Sequence, residues 1–132
     1  MAIQLSVAVR NARLDAIETV VSTSPKLQIR TGAQPANCAA ADSGTLLWEE
    51  DCPSDWAAAA ASGAKAKSGT WSAAAVATGT AAHFRLQDSA GTTCHIQGSV
   101  GLGSGDLSLD NTSIASGQTV TVSTFTLTDG NP

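Results

Sequence analysis

Apolar residues between positions 4 and 23 recur at helical spacing. At about 100° per residue, Leu5, Val9, Ala12, Ala16 and Val20 share one side of a helix. A second stripe, Val7, Leu14, Ile17 and Val21, lies nearly opposite, leaving Asn11, Asp15 and Glu18 as the clear polar strip. A helix apolar on two sides is expected to be buried on two sides. One side then covers the rest of the domain and the other meets a neighbouring subunit; the alternative is a helix tucked wholly into its own fold. Ser6 is placed to cap it, and Ser24-Pro25 stops it, because proline disfavours helical backbone in the residue before it.

Beyond Pro25 the period changes to two. Over 26–31 the alternation puts Leu27 and Ile29 inward and Lys26, Gln28 and Arg30 outward. A long loop over 32–43, with Pro35 and Asn37, leads to a strand over 45–50, in which Leu46 and Trp48 face one way and Leu47 and Glu49 the other. The alanine-rich stretch 56–67 has helical propensity. It is broken by Ser62-Gly63, however, and has no large apolar side chain after Trp56 to anchor a helix, so irregular or strand structure is expected.

From Gly69 onward the pattern is β throughout, with strands over 70–77, 81–87 and 92–97. Asp88-Ser-Ala-Gly91 reads as a tight hairpin turn between the last two. Phe84 and Leu86 are expected inward with Cys94 and Ile96 across from them, and His83, Arg85 and Gln87 outward. Four glycines over 98–105 predict a flexible or sharply bent connection, followed by a short strand at 107–109. In the last strand, 119–128, Val120 and Val122 have one parity and Phe125 and Leu127 the other, which predicts a bulge near Ser123-Thr124 or a strand crossing between sheets. Seven or eight short strands with turns between them predict a mainly β chain: one domain, 1–132, an antiparallel β-sandwich of jelly-roll or immunoglobulin-like topology over 26–128 behind a short N-terminal helix over 4–23.

Composition adds to this picture in one respect. Hydrophobic residues make up 42% of the 132 positions and charged residues only 14%, against roughly 25% in ordinary soluble domains. A surface built from Ser, Thr, Gly, Asn and Ala suits a chain packed against copies of itself or a larger assembly. The net charge of −4 is unevenly spread, with Arg10, Arg13, Lys26 and Arg30 near the start and only acidic charges after Arg85. That division favours docking on a scaffold over nucleic-acid binding, which needs a clustered basic stripe with exposed aromatics. No stretch approaches the roughly 18 apolar residues of a membrane helix, and no targeting signal is read, so a soluble protein made in a cytosol is expected. Cys38, Cys52 and Cys94 are odd in number and do not resemble a secreted disulfide framework. Three free thiols are expected, with a Cys38–Cys52 bridge as the alternative.

Residues with catalytic potential are few. His83 and His95 are read as outward-facing cross-strand neighbours without a poised nucleophile, and neither Cys-x-x-Cys nor His-x-x-x-His spacing occurs. Glu49-Glu50-Asp51 with Asp55 lacks the glycine-punctuated spacing of a calcium loop. Gly101-Leu-Gly-Ser-Gly105 is followed by neither Lys-Ser/Thr nor a helix, as a phosphate loop requires. No enzyme activity, cofactor, metal, membrane or small-molecule substrate is expected. Three of the five aromatic residues are tryptophans and none is tyrosine, which argues against a carbohydrate face of stacked rings. Trp56, in the Pro-Ser-Asp-Trp loop, is the candidate interface aromatic, alongside Val7, Arg10, Arg13, Leu14, Ile17 and Val21 of the helix.

Several stretches resemble small proteins encoded among the structural genes of tailed bacteriophages and prophages. They are Ile3-Gln-Leu-Ser-Val-Ala-Val-Arg-Asn-Ala-Arg-Leu-Asp-Ala-Ile17, Leu27-Gln-Ile-Arg-Thr-Gly-Ala-Gln-Pro-Ala36, Thr78-Gly-Thr-Ala-Ala-His-Phe84, and the closing Ser104-Gly-Asp-Leu-Ser-Leu109 with Gly117-Gln-Thr-Val-Thr-Val122. The resemblance spans nearly the whole chain and contains no catalytic motif. It is to head decoration, or cement, proteins: small β-sandwiches that oligomerise on the capsid exterior and staple neighbouring capsomers. It implies a virion location on the capsid surface after synthesis in the host cytoplasm, with the major capsid protein and copies of itself as partners. Arg10 and Arg13 would then dock on acidic capsid surface. A tail, baseplate or fibre component, or a carbohydrate-binding host-attachment module, are the alternatives.

Overall fold

The computed structural model describes residues 3–131. Helix α1 spans Val7–Val21, and the Ser6 hydroxyl accepts a hydrogen bond from the Val9 N–H, so the cap falls where the sequence places it. Ten strands follow: β1 Lys26–Arg30, β2 Leu46–Asp51, β3 Ala64–Ala66, β4 Ser72–Ala74, β5 Gly79–Thr80, β6 His83–Gln87, β7 Cys94–Leu102, β8 Leu107–Leu109, β9 Ser113–Ile114 and β10 Thr119–Thr128. The alanine-rich stretch is not helical: Ala57 bridges to Lys67, and β3 pairs with the end of β10. The mainly β architecture behind an N-terminal helix is as the periodicity predicts.

Eight strands form one curled sheet in the order β2-β1-β6-β7-β8-β10-β3, with β4 also on β10; β5 and β9 pair separately. The sheet is mixed, because β7 and β8 run parallel. The stretch 98–105, expected as a flexible or sharply bent connection, bends only in its second half. Strand β7 continues through Gly98 and Gly101 to Leu102, and the return to β8 is made over 103–106. A side chain at Gly98 would meet Phe84 and Asp106, so glycine is what lets β7 pass this close to its neighbours.

In β10 the register shifts between Val122 and Thr124, at the expected bulge. That slip buries Val120 and Val122 before it and Phe125 after it, and lets one strand pair with β4, β8 and β3 in succession. The hairpin between β6 and β7 is also as expected: the Asp88 carboxylate accepts from the Thr92 and Thr93 N–H groups, and Gly91 takes a φ of 71°. Those hydrogen bonds hold the Asp88 carboxyl below its ordinary pKa.

The core is aromatic. Trp56, Trp71, Phe125 and Phe84 form a chain of rings with successive centroids 6.4, 5.7 and 5.5 Å apart. Each buried indole N–H donates to a carbonyl, Trp48 to Ala73, Trp56 to Ser22 and Trp71 to Ser68, so no polar atom of the rings is left unpaired. Trp56 is fully buried, which corrects its reading as an interface residue. Its ring stacks into the core and its N–H ties the end of α1 to the strand layer.

The outward assignments on β6 also need correction. Phe84 and Leu86 face the core, but His83, Arg85 and Gln87 on the other side are buried too. The cover is the loop over 32–45, which folds across that face of β1, β6 and β7. Arg85 donates to the Cys38 and Ala40 carbonyls at 2.8 and 3.0 Å and pairs with Asp42 at 3.2 Å. Arg30 reaches the same Asp42, and Gln97 donates to the Pro35 carbonyl. His83 Nδ1 lies 3.0 Å from the Gly32 carbonyl oxygen and pairs with Ser99 across the sheet; it is not beside His95. A second bulge explains the remaining misassignment. Leu86 pairs with Ile96 but Gln87 pairs with Cys94, so Cys94 leaves the core side and joins the polar face under the loop.

Candidate functional site

Helix α1 docks on the strands through its polar strip as well as its apolar one. Asn11 accepts from the Gly63 N–H at 2.9 Å, and Asp15 accepts from the Ala60 N–H at 3.0 Å. Lys65, which is 1% exposed, reaches Asp15 at 2.8 Å and Glu18 at 2.6 Å. Burial pushes the Lys65 ammonium pKa down, but the two carboxylates outweigh it and hold the lysine above its ordinary value. The Lys65 hydrogen bond, with that from Ala60, holds the Asp15 carboxyl below its own. Gly63 must be glycine here: its φ is +74°, and a Cβ would fall 2.5 Å from Arg10 Nη1 and 3.0 Å from the Asp129 carbonyl oxygen.

This docking fixes which side of the helix faces out. Leu14 and Val21 are buried and Ile17 is half-buried against the core, so this part of the expected contact stripe packs on the chain itself. That corrects Leu14 and Val21 as candidates for contact with another subunit. Arg10 donates to the Asp129 carbonyl at 3.0 Å and is half-buried, a tie between the helix and the C-terminal strand. Arg13 pairs with the Asp129 carboxylate at 3.3 Å but keeps 60% of its side chain exposed. Val7 is 47% exposed.

The opposite stripe, Val9, Ala12, Ala16 and Val20, is turned to the outside, with Val20 68% exposed. Beside it Arg13, Ile17, Val20, Val21 and His95 line an open, largely apolar groove of about 300 Å³. The helix thus buries Leu14 and Val21, ties Asp15 and Glu18 to Lys65, and still leaves a second row of methyl groups outward, where an ordinary amphipathic surface helix is polar. Periodicity offers the two apolar stripes as equals. The signal that separates them is Lys65, the one cation within 57–66, paired to carboxylates three residues apart on α1.

All five aromatic rings, Trp48, Trp56, Trp71, Phe84 and Phe125, are 3% exposed or less, which leaves none on the surface for a sugar to stack on. Among the described residues, no group of three or more His, Cys, Asp or Glu side chains is placed to hold a metal ion, and no helix is long and apolar enough to cross a membrane. Glu49, Glu50 and Asp51 instead run along β2, where Lys26 pairs with Glu49 and Asp51.

Fold and surface together define a small, mainly β protein with an outward apolar helix face. Comparison with protein-family models, with curated proteins and with solved structures finds no match to this chain.

Proposed function

We propose that this chain is a non-enzymatic structural protein of a tailed-bacteriophage particle, and that within the particle it is a decoration or cement protein on the head. The observation that carries the reading is the second, exposed apolar stripe of the helix. A chain with so few charged residues has turned Val9, Ala12, Ala16 and Val20 to the outside while holding Asp15 and Glu18 on its own Lys65. Exposed apolar area of this kind gains free energy when covered, about 25 cal/mol per Å², and a staple between capsomers needs such area and shape rather than acid or base groups. The contact surface in this reading is the outward stripe, with Val7 and Arg13 at its margin, facing the major capsid protein and copies of the same chain. The buried rings weigh against the sugar-binding alternative.

Gold-labelled antibody to this chain, applied to particles purified from the strain that encodes it, is expected to mark the heads. Label confined to the tail would move the protein to a tail, baseplate or fibre role. Particles that sediment without any label would end the virion reading.

A further inference from the structure

Cys38 and Cys94 are 56 residues apart in sequence, yet their Sγ atoms approach to 3.0 Å, with the Cys94 thiol donating to the Cys38 sulfur. Both belong to otherwise fixed structure. Cys94 opens β7 on the face turned to the loop by the bulge, opposite Gln87. Cys38 sits in the loop, where its own carbonyl accepts from Arg85 at 2.8 Å, and the turn that contains it is closed by the Ala40 N–H donating to Asn37. The two thiols are therefore held together by contacts that do not depend on them. Cys52 lies apart, buried in the apolar core.

We propose that Cys38 and Cys94 are a disulfide-forming site that locks the 32–45 loop onto the sheet. A disulfide needs its sulfurs brought only to about 2.05 Å, a small movement for two side chains already in contact. The oxidant is a low-molecular-weight disulfide such as oxidised glutathione. One protein thiolate attacks it, forming a mixed disulfide and releasing one small thiol. The second protein thiolate then attacks the sulfur of its partner and expels the other. Two protein thiols are oxidised, one external disulfide is reduced to two thiols, and the protons released from the cysteines pass to those thiols. Burial, with the neighbouring Cys94, pushes the Cys38 thiol up to about 11, so closure is slow at neutral pH and faster in alkali.

The test is made on the intact chain, reduced and then treated with oxidised glutathione. The expected result is a monomer lighter by two hydrogen atoms, a Cys38–Cys94 linked peptide in the non-reduced digest, and Cys52 alkylated only after unfolding. Because the closed segment is long, the oxidised form is expected to melt about 10 °C higher than the reduced one. Cys38→Ser and Cys94→Ser should each abolish that rise, and Cys52→Ser should retain it. Stable glutathione adducts on Cys38 or Cys94, intermolecular dimers, or a linked peptide containing Cys52 would overturn the proposal. The mass and peptide readings come from the unsubstituted chain, so they stand even if a variant folds poorly.

Discussion

Strand β6 is buried on both sides, but by opposite means. On one side Phe84 and Leu86 enter a core of tryptophan, phenylalanine and aliphatic side chains, where burial itself stabilises. On the other, His83, Arg85 and Gln87 lie beneath a loop, where burial costs free energy unless each polar atom finds a partner. In that second layer, His83 Nε2, Arg85 Nε, Gln87 Oε1 and Gln97 Oε1 find no hydrogen-bond partner among the described residues. The apolar layer therefore holds the fold, and the polar layer fixes where the loop lies. The comparison also separates two things that strand alternation tends to merge, since parity tells which side of a sheet a residue occupies and not what covers that side.

The sharpest test of this division is to damage each layer. Trp71→Ala, which empties the centre of the aromatic chain, is expected to destabilise the protein by about 4 kcal/mol in urea unfolding. Arg85→Met should cost less, about 3 kcal/mol, by stranding the Cys38 and Ala40 carbonyls and one side of Asp42. Unlike Trp71→Ala, it should open the 32–45 loop to proteolysis while leaving the tryptophan fluorescence unchanged. An equal or larger loss for Arg85→Met would reverse the assignment of the two layers.

Smaller again is the loss expected for Lys65→Met, about 1.5 kcal/mol, because its carboxylate partners are partly exposed and can take up water. The same contact sets a pH window. Asp15 has a folded pKa below its ordinary 3.8, so its contribution is present above that value and lost as pH falls through the folded pKa. Lys65 is raised above 10.5, so its contribution is complete below that value and lost as pH rises through the folded pKa. Thermal melts across pH should show both losses in the native chain; in Lys65→Met the alkaline loss should be absent and the acid loss reduced to the part that the Ala60 N–H supplies. The smallest effect is expected for Val20→Asp, within about 0.5 kcal/mol, since Val20 is exposed. Wild-type stability combined with loss of particle association would mark the helix face as contact surface; unchanged association would remove it from that role.

Much of the β architecture was legible because its signals are local. The parity switch in β10 needs only Val120, Val122, Phe125 and Leu127, and the β6–β7 turn needs only Asp88 and Gly91. Ser62-Gly63 sufficed to deny the alanine run a helix. The outward face of the helix was half legible: α1 and its two apolar stripes are read from spacing, but which of them stays exposed rests on Lys65, some fifty residues away. Trp56 was misplaced because a loop position suggests exposure, whereas its indole reaches back to the carbonyl of Ser22.

What the sequence determined by itself was the helix and the longer strands, since period, caps and turn residues act within a few positions of one another, whereas the two- and three-residue strands such as β5 and β9 exist only through their pairing. Only the tertiary structure decided which surfaces those elements turn to water, to the core or to the outside. The Cys38–Cys94 approach, the covered face of β6 and the outward helix stripe all depend on contacts between distant segments. No local pattern encodes them, because whether a polar or apolar face is buried is set by what the rest of the chain can place against it.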